Sequence, residues 1–190
     1  MELIRCPWCI NDNEYKRYHD EEWGVPQHDS EKLFEALVLD GAQAGLSWIS
    51  ILRRRENYRK AFDGMNPEII AGYGEKDIER LLNDDGIIRN RKKIEAAIGN
   101  ARAYMDMKEQ GHDFSAWLWE WVDGKQIVNH YASVKEIPPH TPLSKQISKI
   151  LTKRGFAFVG PTIVYAFLQA AGFVNDHLTS CFRHGLIAGA

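Results

Sequence analysis

The sequence predicts an all-α fold. Apolar residues recur at helical spacing over most of the chain, capping residues stand ahead of those runs, and strands do not alternate with helices as a nucleotide-binding α/β sheet requires. No G-x-G-x-x-G and no P-loop is present, so no nucleotide cofactor is expected. With 190 residues, 44% hydrophobic and 11% aromatic, the chain can bury a sizeable core. It fits one domain over residues 1–190, at most divided into two small lobes.

Asp29 and Ser30 are N-cap candidates ahead of Leu33, Phe34, Leu37 and Val38, which share one helical face. That helix weakens between Asp40 and Leu46, where Gly41 and Gly45 intervene, and Ser47 caps the next, which carries Ile49, Ile51 and Leu52. Asn66-Pro67-Glu68 combines a cap, a proline at the first helical position and an early acid, the signature of a third start. The longest helix is expected over residues 89–110, from Ile94, Ala97, Ile98, Ala101 and Met105, and Gly111 stops it. Ser115 is expected to cap a short helix burying Trp117, Leu118 and Trp121. Residues 126–134 have modest strand character and are assigned as loop. Pro138, Pro139 and Pro142 mark a connection, after which Leu143, Ile147, Ile150 and Leu151 restart the helical period.

The 24 basic and 26 acidic residues leave a net charge of −2, so contact with a polyanion must come from local clusters. Three cysteines cannot all pair, and no secretory leader precedes Cys6, which points to a reducing cytoplasm. No apolar run approaches the roughly 20 residues that cross a bilayer, so no membrane partner is expected.

Cys6, His19, His177 and Cys181 form a zinc-like set, with His177 and Cys181 on one face of a short helix capped by Asn175 or Asp176. Cys9, His28 and His184 leave other quartets open, and ordinary packing accounts for lone Cys and His residues equally well. Such a closed set is structural. The zinc-deaminase order, H-x-E ahead of P-C-x-x-C, is not met by Cys6-Pro7-Trp8-Cys9. Residues 155–160, Gly155-Phe156-Ala157-Phe158-Val159-Gly160, sit between two helices and read as a hairpin whose glycines admit a phosphate, with Lys145, Lys149, Lys153 and Arg154 nearby. A plain antiparallel helix pair with a solvated basic face fits the same residues. The clusters at Arg53 to Arg55 and Arg89 to Lys93 read as surface turns. Tyr15, Tyr18, Trp23 and Trp48 crowd beside Asp40 and Gln43, a mix that suits a nucleobase pocket, although each aromatic taken singly is core.

Four motifs in order, Tyr18-His19-Asp20-Glu21-Glu22-Trp23-Gly24-Val25-Pro26, Gln43-Ala44-Gly45-Leu46-Ser47-Trp48, the residues 155–160 just quoted, and Asn175-Asp176-His177, span nearly the whole chain. On them the sequence resembles the 3-methyladenine DNA glycosylase I family of the helix-hairpin-helix superfamily. The resemblance implies a helical glycosylase domain with the helix-hairpin-helix at about residues 143–172. It implies a structural Zn2+ on Cys6, His19, His177 and Cys181 that tethers the two termini, with Cys9 outside the set. The family pocket maps onto Trp8, Tyr18, Trp23 and Trp48, with Asp40 as the carboxylate that reads the alkylated adenine and no general acid assigned. DNA contact falls to Gly155, Phe156, Phe158, Gly160, Lys149 and Lys153, and Asp176 is given a capping role. The implied activity is monofunctional hydrolysis of the N-glycosidic bond of 3-methyladenine in double-stranded DNA during base-excision repair, by a monomer. Members mostly carry glutamate where this chain has Asp40, so the carboxylate here is one methylene shorter. The competing expectations are a non-catalytic zinc-stabilised binder of alkylated DNA and a zinc-stabilised helical protein-interaction domain.

Overall fold

The computed structural model describes residues 3–187. Helix after helix begins at a side-chain cap. Asp12 starts α1 (Asn13–Glu21), Asp29 starts α2 (Ser30–Gln43), and α3 (Trp48–Leu52) and α4 (Arg55–Ala61) follow. Asn66 starts α5 (Pro67–Ala71), α6 (Glu75–Leu82) comes next, and Asn90 starts α7 (Arg91–Glu109). In each capped case a side-chain oxygen accepts from an amide of the first turn that has no helical partner.

Asp113, not Ser115, caps α8 (Phe114–Glu120). The register therefore shifts: Phe114, Leu118 and Trp119 are buried while Trp117 and Trp121 lie half-buried. The segment assigned as loop contains a two-residue strand, β1 (Ile127–Val128), paired in parallel with β2 (Val174–Asn175). Gln126 locks this pairing in place by donating to the carbonyls of Gly24 and Gly172. Between the strands run α9 (Pro142–Lys153), capped by Thr141, and α10 (Pro161–Ala170), and α11 (Phe182–Ile187) follows β2. The polar helix α1, with Tyr18 and His19 as its buried residues, was not anticipated because it offers almost no apolar periodicity.

One continuous core joins Leu33, Phe34 and Leu37 of α2 to Ile94 and Ala101 of α7, Ile147 and Leu151 of α9, and Phe167 and Leu168 of α10. Two devices fix the segment 155–160 against it. Buried Asn100 on α7 uses both ends of its amide on the Ala157 backbone, accepting at 2.7 Å and donating at 3.1 Å. Phe158, at φ 54°, lies against Gly41 of α2, where a Cβ would stand 3.2 Å from that of Phe158. Lys93 closes the other end of this arrangement by donating to the carbonyls of Ala42 and Ala44, both at 2.7 Å, as α2 terminates. A side chain at Gly172 would meet the Pro26 nitrogen at 2.4 Å, so only glycine lets the end of α10 approach residues 24–27.

Candidate base pocket and metal centre

Asp40 lies near the C-terminal end of α2, facing α1, α3 and α10. With Trp8, Tyr18, Trp23, Trp48, Tyr15, Gln43 and Gln169 it lines a cavity of about 290 Å³. The rings meet edge-on or tilted: Trp8 is 5.1 Å from Trp23 and Tyr18 is 5.6 Å from Trp48 between centroids. All five residues expected in the pocket therefore share one cavity.

Asp40 is 3% exposed, and its Oδ2 finds no hydrogen-bond partner among the described residues, nor does the Trp48 indole N–H. Burial pushes the Asp40 carboxyl well above the ordinary carboxylate range. Burial, then the nearby Asp40 and Glu22 charges, raise Tyr18 in the same way, keeping its hydroxyl protonated. A buried acceptor and a buried donor without partners each carry a desolvation cost that a ligand can remove.

Tyr18, Asp40 and Trp48 also border a larger cavity of about 610 Å³. Its two arginines are already matched, Arg55 to Glu22 at 2.5 Å and Arg59 to Glu35 at 2.7 Å. Exposed Glu21, Glu31 and Lys32 complete its lining, whereas the smaller cavity gathers the aromatic faces around the Asp40 carboxyl.

Behind Trp8 and Trp23 stand Cys6, His19, His177 and Cys181, all buried, their ligand atoms within 4.8 Å of one another. His177 Nδ1 lies 3.2 Å from His19 Nε2 and 3.6 Å from Cys181 Sγ. Cys181 Sγ is 3.4 Å from His19 Nε2, and Cys6 Sγ is 3.7 Å from His177 Nδ1. The ring nitrogens that point away are also engaged: His19 Nδ1 meets Asp20 at 2.8 Å and His177 Nε2 meets the Trp23 carbonyl at 3.0 Å. Such outer partners fix the tautomer that turns a bare nitrogen to a metal. Against desolvation, hydrogen bonds from Arg5 and His19 hold Asp20 below its usual range. The hydrogen bond from Cys6 lowers the Cys181 thiol, and His177 and His19 add to it against burial. The four residues can hold a metal ion. Cys9 turns its thiol to the Cys6 carbonyl instead, His28 stacks on Trp119 and His184 meets the Asn129 carbonyl.

Two details differ from the sequence reading. His177 and Cys181 sit on a turn that follows β2, not on a helix, because pairing with β1 holds the preceding residues extended. Asp176 caps nothing: its buried carboxylate accepts from Tyr165 at 2.5 Å and from Gln169 and Asn129 at 2.7 Å. Neither Asn129 nor Gln169 carried a motif that marked it in advance.

Of the hairpin residues, Gly155 (φ 91°) and Gly160 are exposed, Phe158 is half-buried and Lys149 and Lys153 reach solvent. The Phe156 ring is core, stacked 5.9 Å from Phe114, so only its backbone is available to a partner. Arg154 is engaged over the Trp117 ring. Among the described residues no helix is long and apolar enough to cross a membrane.

Comparison with known proteins agrees with this geometry. The family model for methyladenine glycosylase matches residues 8–184. The chain is 51% identical over 179 residues to the DNA-3-methyladenine glycosylase 1 of Escherichia coli (strain K12), covering 94% of this chain and 96% of that one. A crystal structure of a 3-methyladenine DNA glycosylase I superposes with a TM-score of 0.94 at 52% identity, over 95% of this chain and all of the other. A Staphylococcus aureus 3-methyladenine DNA glycosylase I, solved for the structural basis of 3-methyladenine recognition, superposes with a TM-score of 0.92 at 37% identity, over 95% and 96% of the two chains. The chain belongs to the methyladenine glycosylase family.

Proposed function

We propose that the protein is a DNA-3-methyladenine glycosylase, a hydrolase of base-excision repair that cleaves the N-glycosidic bond of 3-methyladenine in double-stranded DNA and leaves an abasic site. The observation that carries this reading within the family is the buried Asp40 carboxylate with a free oxygen among aromatic faces.

Methylation places a positive charge on the purine, so the base departs neutral and needs little acid help. The work left to the protein is extraction and discrimination. The extruded base stacks on Trp48 beside Tyr18, a kind of contact worth about 1–3 kcal/mol per base, and Asp40 Oδ2 accepts from its exocyclic amine. The cationic ring supplies the counter-charge that the buried carboxylate lacks. Unmodified adenine brings no such charge and is a poor leaving group, so it escapes even if it enters.

Residues 143–172 act as the helix-hairpin-helix. The open amides at the start of α10, behind exposed Gly160, face a phosphate, and Lys149 and Lys153 add positive charge. One hairpin and one pocket suffice for a monomer, and residues 3–187 are read as one domain. The metal is zinc. A tetrahedron with ordinary zinc–sulfur and zinc–nitrogen bonds has edges of about 3.3–3.8 Å, which the separations of 3.2, 3.4, 3.6 and 3.7 Å approach. Cys6 and His19 from the N-terminal part and His177 and Cys181 from the C-terminal part would hold the ion, and with all four positions filled by the chain it would tie the two parts together without activating a water.

The test is release of free 3-methyladenine from methylated duplex DNA, by wild type beside Asp40→Asn and Asp40→Glu. Release that falls in Asp40→Asn supports the enzyme, and Asp40→Glu measures what the missing methylene costs. A folded, metal-loaded protein that binds the methylated duplex without releasing base would overturn it in favour of a lesion binder.

A further inference from the structure

Hydrolysis needs a water at C1′, on the side away from the departing base, and Asp40, whose free oxygen is assigned to the exocyclic amine of the base, is not available to hold it. The cavity has two faces. Tyr18, Asp40 and Trp48 come from α1, α2 and α3, while α10 supplies Ala166, Gln169 and Ala170. Gln169 is the polar side chain on that second face, and α10 emerges directly from residues 155–160, the segment assigned to the DNA backbone. In the glycosylase reading, an extruded nucleotide whose base faces Asp40 would turn its sugar towards this second face, where Gln169 stands near the C-terminal end of α10.

The Gln169 amide cannot turn over. Its Nε2 donates to Asp176 Oδ2 at 2.7 Å, and the same buried carboxylate takes the Tyr165 hydroxyl at 2.5 Å and Asn129 Nδ2 at 2.7 Å. With this carboxyl already accepting from three donors, a flipped amide would set oxygen against oxygen. Oε1 is thereby turned away from Asp176, and no group among the described residues donates to it. The network fixes one neutral acceptor on the α10 face of the cavity.

We propose that Gln169 Oε1 holds the attacking water. This rests on the glycosylase reading above. The water oxygen bonds to C1′ as the N9–C1′ bond breaks, the N9 electron pair leaves with the base and cancels its positive charge, and the surplus water proton passes to solvent. A neutral amide orients the water without removing its proton early, which suits a leaving group that is already cationic.

The experiment compares wild type, Gln169→Met and Gln169→Asn in single-turnover release from methylated duplex DNA, with free 3-methyladenine affinity read from tryptophan fluorescence. Methanol is added in a parallel arm to trap C1′. Gln169→Met keeps the volume without the acceptor, and Gln169→Asn keeps an amide but withdraws it by one methylene. The expected result is a rate at least about tenfold lower in both, free-base affinity within about twofold, and a methyl glycoside that forms in the variants and not in wild type. Variant rates equal to wild type, or a loss of free-base affinity matching the loss of rate, overturn the assignment and leave the enzyme intact. Failure of wild type to release base would overturn the glycosylase reading itself.

Discussion

Two buried polar groups of side chains lie on either side of the same aromatic wall and are finished differently. In the Cys6, His19, His177 and Cys181 cluster, the outward nitrogen of each imidazole is met by Asp20 or the Trp23 carbonyl, and the inward atoms converge on one point. Asp40, in the pocket, has an oxygen that meets no partner among the described residues. Buried polar groups that the chain itself satisfies serve the fold, whereas those it leaves bare are stabilised only when a ligand arrives. Trp8 and Trp23 line the cavity and also pack on the imidazoles, Trp23 at 4.6 Å from His177. The satisfied cluster is the backing that keeps the unsatisfied pocket in shape.

The largest expected effect comes from undoing the satisfied side. Structural zinc contributes apparent free energies of about 10–16 kcal/mol in small metal-dependent folds, and the four residues that would hold it come from opposite ends of the chain. Chelation, or His177→Ala, is expected to lower the calorimetric melting temperature by more than about 10 °C, using the few degrees per kcal/mol of a domain this size. Elemental analysis is expected to give one zinc per chain. Identical melting with and without the metal would remove the contrast between the two sites.

Asp40→Asn sharpens the comparison because activity and stability move in opposite directions. Loss of the charged acceptor is expected to slow 3-methyladenine release about 100-fold, equivalent to about 2.7 kcal/mol. Stability is expected to rise, by about 1–2 kcal/mol at neutral pH. The sign follows from the raised carboxyl. Between the usual 3.8 and its raised folded value, the native state binds more protons than the unfolded chain, so stability falls as pH rises. The gain in Asp40→Asn is therefore full above that window and shrinks towards acid pH. Urea titrations of both proteins at several pH values would show this, and a variant less stable than wild type throughout would contradict it.

This contrast also separates what the sequence discloses from what it does not. Local signals are legible: Asp29, Asn66 and Pro142 stand at real helix starts, and residue type and spacing group the four metal-type residues first while Cys9, His28 and His184 keep other sets open, so that the family resemblance selects among them. Tertiary satisfaction is not. Asp176 resembles a cap because caps are local, yet its three donors come from Asn129, Tyr165 and Gln169. The turn that carries His177 and Cys181 depends on a strand pairing set by Gln126. Ser115 lost its capping role to Asp113, two residues earlier and equally competent by type. That Asp40 is alone is a property of everything packed around it, and no neighbour in sequence announces it.

The smallest effect separates holding the DNA from reading the base. Lys149 and Lys153 are exposed on the last turns of α9, whereas Arg154 is occupied by Trp117 and Gln110. Each Lys→Ala substitution is expected to weaken duplex binding severalfold and to reduce the log–log salt slope by about 0.9, as the loss of one phosphate contact requires. Methylated and unmodified duplexes are expected to weaken equally, because a phosphate contact carries no information about the base. Melting temperature and free 3-methyladenine affinity are expected to stay unchanged, since neither lysine touches the core or the cavity. An unchanged salt slope would move the DNA contact away from α9. A weakening confined to the methylated duplex would assign these lysines to the pocket, and the division of labour between the hairpin and Asp40 would have to be redrawn.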